Sequence, residues 1–192
     1  MRKIDKNFIL TFILCFVSTS SLYAQNIDVN FTATIRETTC DMRITGGTGD
    51  GKNNTIPIGG SGGKTSLDKI ISGDASVSAP FSLDIITCPS SLSTLKTTVS
   101  GTPSNYNDKA ITNGLTGTGA STFVGVTLSR SSGGDAFTIN ATDDPHRIVW
   151  TNDEIKNKKK VDLLAQLVPT YGGDKTTPGD FSAVATFNFT YD

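Results

Sequence analysis

The chain has 192 residues, with 17 Lys and Arg against 18 Asp and Glu, for a formal charge of −1. That balance leaves no electrostatic footprint for nucleic acid, and charged residues make up only 18% of the chain against a typical ~25%. The 19 glycines sit mostly in turn clusters between period-two runs of Val, Ile, Thr and Phe, and no long stretch keeps a 3.6-residue apolar period, so the predicted class is all-β.

In chain order, Arg2, Lys3 and Lys6 precede an unbroken apolar run from Phe8 to Val17, which ends in the polar stretch Ser18 to Ser21. This is the layout of a secretory signal peptide, with cleavage after Ala24. A membrane anchor is the rival, but the run is about half of the ~20 residues a spanning helix needs. The segment 1–24 is therefore predicted to be removed. The mature remainder, about 170 residues, fits one domain with a sizeable core. Cys40 and Cys88 are the two cysteines left in an exported chain, so a single disulfide is expected, worth roughly 4 kcal/mol for a loop of this length.

The first strand-like run alternates through Ile27, Val29, Phe31, Ala33 and Ile35, with Asp28, Asn30, Thr32, Thr34 and Arg36 opposite. Glycine-rich loops, Gly46 to Gly51 and Gly59 to Gly63, bracket a short run near Ile56 and Ile58. Ser66 to Ile71 has room for one helical turn. Phe81, Leu83 and Ile85 then alternate toward Cys88, and Leu95 to Ser100 forms a shorter strand. Val124, Val126 and Leu128 alternate next, and the turn at Ser131 to Gly134 predicts a hairpin into Phe137 to Ile139. Val161, Leu163, Ala165 and Leu167 share one face of a further strand. Last come Phe181, Ala183, Ala185, Phe187, Phe189 and Tyr191, at every second position to the end.

Both ends of the exported chain are thus two-faced strands, where order and hydrophobicity normally fade. Left in water, such a strand is an aggregation hazard. Either the N-terminal run pairs as an edge strand of its own sheet, or something else covers it; periodicity does not separate the two.

Several candidate chemistries fail on their residues. Gly59-Gly-Ser-Gly-Gly-Lys-Thr65 lacks the glycine that a phosphate-binding loop needs five places before Gly63, where Ile58 stands. His146, the only histidine, has Asp143 and Asp144 close by but no serine in a recognisable nucleophile elbow, so no enzyme, cofactor or metal site is expected. Lys156, Lys158, Lys159 and Lys160 read as a solvated turn, and Trp150 near Ile148 as core. Asn30, Asn53, Asn140 and Asn188 open glycosylation sequons, of which Asn30 and Asn188 fall on strand-like runs.

These features together resemble the pilins of the chaperone–usher pathway, of the type 1-like kind. Phe31-Thr-Ala-Thr-Ile35 followed by Cys40 is similar to the N-terminal extension and first-strand cysteine of that family, with Cys88 in the place of its partner. The carboxy-terminal signature is more specific, a glycine at the fourteenth place from the end and a penultimate tyrosine, here Gly179 and Tyr191. Val124-Gly-Val-Thr-Leu-Ser-Arg130 also looks like an internal strand of these subunits.

The resemblance implies an incomplete immunoglobulin-like sandwich lacking its final strand, completed by a donor strand from a partner. It divides the chain into a signal peptide (1–24), a donor-strand extension (25–36) and a pilin domain (37–192). Ile27, Val29, Phe31, Ala33 and Ile35 become the donor residues. Gly179, Phe181, Ala183, Ala185, Phe187, Phe189 and Tyr191 become the groove wall and the surface a chaperone recognises. Implied partners are a periplasmic pilus chaperone, an outer-membrane usher and neighbouring subunits in a head-to-tail polymer, with export through the periplasm to a surface fimbrium. Such extensions commonly carry glycine where this chain has Ala33. The alternative is a single-domain fimbrial adhesin that binds a host-surface receptor or glycan.

Overall fold

The computed structural model describes residues 39–191; the predicted signal peptide and the run from Ile27 to Ile35 lie outside the described residues. The elements are β1 (Asp41–Thr45), β2 (Thr48–Gly49), β3 (Asn54–Thr55), α1 (Leu67–Ser72), β4 (Ser78–Thr87), β5 (Leu95–Ser100), β6 (Pro103–Ser104), β7 (Asn107–Thr112), β8 (Val124–Arg130), β9 (Ile148–Val149), β10 (Lys160–Pro169) and β11 (Thr186–Tyr191). The fold is all-β, as the periodicity predicts. The expected helical turn is α1, which ends on Gly73 in the left-handed conformation.

The main sheet has the order β1-β4-β10-β8-β7-β6, and a second sheet has the order β11-β5-β9. β10 is central, antiparallel to β4 on one side and to β8 on the other. Its alternation explains that place. Val161, Leu163, Ala165 and Leu167 are all buried, and they meet Phe81, Leu83, Val126 and Leu128 from its two neighbours in one core cluster. From the second sheet, Leu95, Val99 and Ile148 enter the same cluster. Each strand gives one face to this layer, which is why a period of two dominates the sequence.

Two details place the cross-links. Cys40 and Cys88 are joined as a disulfide across a separation of 48 residues, pinning the start of β1 to the end of β4. Trp150 is core, 4% exposed, and its Nε1 donates to Thr97 Oγ1 at 2.9 Å, so the one polar atom of the indole is satisfied inside the sandwich.

The predicted hairpin from β8 into Phe137 to Ile139 does not form. β7 takes the open edge of β8 instead, with Ala110 opposite Thr127 and Ile111 opposite Val126. Phe137 still donates its backbone N–H to Leu128, but Ile139 donates to Asp108 and Asn140 to Val99. The segment therefore crosses from the main sheet to the second one. Two apolar residues two apart satisfy a crossing as well as a strand, and only the competing edge decides between them.

Candidate functional site

β1 and β11 each have a single strand neighbour among the described residues, and they stand at the edges of the two sheets on one side of the sandwich. Their inward faces alternate, that of β11 as expected and that of β1 without a sequence-based expectation, but both are covered incompletely. Cys40, Met42 and Ile44 on the β1 side are half-buried, and so are Phe181, Ala183, Ala185, Phe187, Phe189 and Tyr191 on the β11 side. One strand further in, Phe81, Leu83 and Ile85 on β4 are 5%, 1% and 6% exposed, and Leu95 and Val99 on β5 are 0% and 1% exposed. Burial thus drops at the same pair of edges, along an apolar seam that runs the length of both strands.

Contacts across the sandwich tie the seam together at two points. The ring of Phe187 lies 5.9 Å from that of Phe81, tilted by 48°. The hydroxyl of Tyr191 faces the backbone of Cys40. Partial burial pushes this hydroxyl above the ordinary tyrosine value, and the hydrogen bond to Cys40 offsets part of the rise.

The terminal run is not one continuous strand. Only Thr186–Tyr191 pair with β5, from Thr186 opposite Ser100 to Tyr191 opposite Leu95. The residues before it keep the alternation, with Phe181, Ala183 and Ala185 facing in and Ser182 and Val184 exposed. Their backbone is taken by another loop. Asp180 donates its N–H to Gly119 at 2.7 Å and accepts from the N–H of Ser121 at 3.0 Å, and Gly114 donates to Ser182 at 2.7 Å.

Asn113 clamps this junction, a role the sequence gives no signal for. Its Nδ2 donates to the carbonyls of Ser121 at 3.0 Å and Asp180 at 2.8 Å. Its Oδ1 accepts the backbone N–H groups of Leu115 at 3.1 Å and Ser182 at 3.0 Å. Gly179 lies where the two segments cross, at φ +154°. A Cβ there would sit 2.5 Å from the carbonyl oxygen of Gly119 and from the N–H nitrogen of Ser121. Only glycine permits that approach.

The groups set aside on sequence have mundane partners. His146 pairs with Asp143 on the surface, and that hydrogen bond holds the Asp143 carboxyl below its usual range. Lys158 pairs with Asp153 at 3.0 Å and Lys160 with Asp162 at 3.0 Å, and Lys156 donates to the carbonyls of Ser90 and Leu92, so three of the four lysines have local partners. Asn140 is locked to Gly101 by two amide hydrogen bonds, of 3.2 and 3.0 Å. Among the described residues no cluster of three or more His, Cys, Asp or Glu could hold a metal ion.

Comparison with known proteins gives concordant matches. The family profile described as fimbrial protein matches residues 29–192. The uncharacterized fimbrial-like protein YadM of Escherichia coli strain K12 is 35% identical over 176 residues, covering 89% of each chain. The crystal structure of the P pilus rod subunit PapA superposes with a TM-score of 0.51 at 15% identity, covering 86% of this chain and all of that one. At that identity the last match speaks for the fold alone.

Proposed function

Because this chain belongs to the fimbrial protein family and is a structural subunit of a surface fimbrium in contact with its neighbours, we propose that it polymerises by strand addition along the β1–β11 seam. The donor is the segment 25–36, whose Ile27, Val29, Phe31, Ala33 and Ile35 enter the seam of the next subunit. A periplasmic chaperone holds the seam first, with a strand of its own, and an outer-membrane usher is where the exchange takes place. The signal peptide 1–24 routes the chain to that compartment.

The observation that carries this proposal is the matched half-burial of the two edge strands, β1 and the run ending in β11. A strand laid between them gains main-chain hydrogen bonds from exposed edges and register from alternate side chains entering the seam. The four bulky donor residues, Ile27, Val29, Phe31 and Ile35, contribute roughly 6–12 kcal/mol gross if fully covered, at ~1.5–3 kcal/mol each. A head-to-tail contact of this type does not close on itself, so it propagates a fibre. The family match begins at residue 29, inside the alternating run, which favours treating that run as part of the fimbrial module.

The test is deletion of residues 25 to 36. The truncated subunit is expected to keep its complex with the chaperone and to be absent from fibres. Fibres assembled normally by the truncated subunit would overturn the proposal.

A further inference from the structure

A second surface lies away from the seam and has a different chemical character. Tyr106 follows β6, Phe123 precedes β8 and Tyr171 follows β10. These three loops bring their rings together, with centroids 4.3 Å apart for Tyr106 and Tyr171, 5.3 Å for Phe123 and Tyr171, and 5.7 Å for Tyr106 and Phe123. The cluster is not core. Tyr106 is 58% exposed and Tyr171 46% exposed, and Phe123 holds a φ of +54°, in the left-handed region that a bulky residue seldom adopts. An aromatic patch kept in water at a backbone cost calls for an explanation beyond stability.

Beside the rings is a cavity of about 240 Å³, below the ~300–1,000 Å³ of sites for drug-sized ligands and suited to a single small ring. Tyr106 and Phe123 form part of its lining, with Asn105, Thr112 and Thr170 supplying an amide and hydroxyls, while the amide of Asn113 on the same wall is fully engaged in the clamp. No charged side chain lines it. Thr170 is only 8% exposed, yet its hydroxyl has no hydrogen-bond partner among the described residues, and neither do the hydroxyls of Tyr106 and Tyr171. No fully enclosed polar side-chain atom goes unpaired among those residues, so the Thr170 hydroxyl keeps an open approach and is free to bond a visiting molecule.

We propose that this aromatic shelf and its neutral polar cavity bind a neutral saccharide. A sugar ring offers an apolar C–H face to the rings, while its hydroxyls both donate and accept, matching the mixed capacity of Asn and Thr side chains. A phosphate, a sulfate or a carboxylate sugar finds no cation in the lining, and a metal ion finds no carboxylate. Tyr106, Phe123 and Tyr171 belong to neither edge of the seam, so variants at these rings leave the donor run and the groove-wall residues unchanged.

The experiment uses the folded full chain on an array of neutral oligosaccharides of galactose, glucose, mannose, N-acetylglucosamine and fucose, with sialylated and sulfated forms beside them. Neutral glycans are expected to be retained, and Tyr106→Ala and Tyr171→Ala are each expected to weaken retention at least about tenfold, as central aromatic anchors do. Tyr106→Phe keeps the ring and is expected to stay within about threefold of the parent. Melting temperature shows that each variant is folded, and Tyr171→Ala stands as the independent variant if Tyr106→Ala is not. Failure to retain any neutral glycan, retention that requires an acidic sugar, or full retention by both alanine variants would each overturn the proposal. So would a loss of self-association by the two alanine variants relative to the parent on sedimentation, in place of glycan binding, which would make the shelf a contact between copies of this chain. Strand addition is read separately, by the deletion of residues 25 to 36.

Discussion

Replacing Gly179 with alanine isolates the crossing that launches the last strand. The new Cβ would meet backbone atoms on three sides, at 2.5 Å from Gly119 and Ser121 and 2.6 Å from Ala120, and φ is +154°. Backbone atoms cannot swing aside as a flexible side chain can, so the two segments must separate. The strained backbone costs ~1–3 kcal/mol. Separation also loses the bonds from Asp180 to Gly119 and from Ser121 to Asp180, at ~0.5–1.5 kcal/mol each. The sum is roughly 2–6 kcal/mol, or a fall in Tm of about 5–20 °C for a domain of this size. Thermal unfolding followed by circular dichroism measures it. Gly117→Ala is the control, because φ is +94° but nothing lies within 4 Å of the added methyl. It reports the backbone term alone and is expected to shift Tm by about 2–10 °C. Equal shifts for the two variants would refute the reasoning, since the close approach would then contribute nothing.

Further predictions rest on separate contacts. Reducing the Cys40–Cys88 bond, or replacing both cysteines with serine, is expected to lower stability by ~2–5 kcal/mol, read as a lower urea midpoint; an unchanged midpoint would contradict it. Trp150→Phe leaves the fully buried Thr97 hydroxyl without its partner, at ~1–3 kcal/mol. Adding Thr97→Val should recover part of that loss in a double-mutant cycle, whereas simple additivity would show that the bond is not the cause. The Tyr191 hydroxyl titrates above its ordinary value of 10.0, chiefly through burial. Its neutral form is favoured by folding, so its contribution is complete below pH about 10 and is lost as pH rises through the raised folded value. Stability of the parent should therefore fall more steeply above pH about 10 than that of Tyr191→Phe, and parallel alkaline limbs would count against the burial of that hydroxyl.

Strands with one wet and one dry face were legible because their side chains record the two environments in turn. β4, β8 and β10 contain the alternating runs that predict them, and β11 lies inside one. Alternation reports facing and not pairing, and the terminal run shows the difference. Phe181 to Ala185 face the core as predicted, yet their backbone bonds go to the loop at 113–121 and not to β5. β7 was illegible because Asn107, Asp108 and Lys109 look like a turn, and only Ala110 and Ile111 are buried. The clamp at Asn113 gave no warning either. It bonds to Ser182, 69 positions away, and nothing local distinguishes this asparagine from one in an ordinary loop. The aromatic shelf is hidden for the same reason, since Tyr106, Phe123 and Tyr171 are neighbours only once three loops have been placed.

The placement of β11 also dictates a timetable. Every strand of the main sheet is present once residue 169 has emerged, and the cysteines are both available by residue 88. β5, by contrast, waits beside an empty berth until residues 186–191 arrive, because they form its long partner. A chain that emerges from its N-terminal end therefore cannot seal its smaller layer until residue 191 has appeared. The arrival of β11 decides when that layer closes.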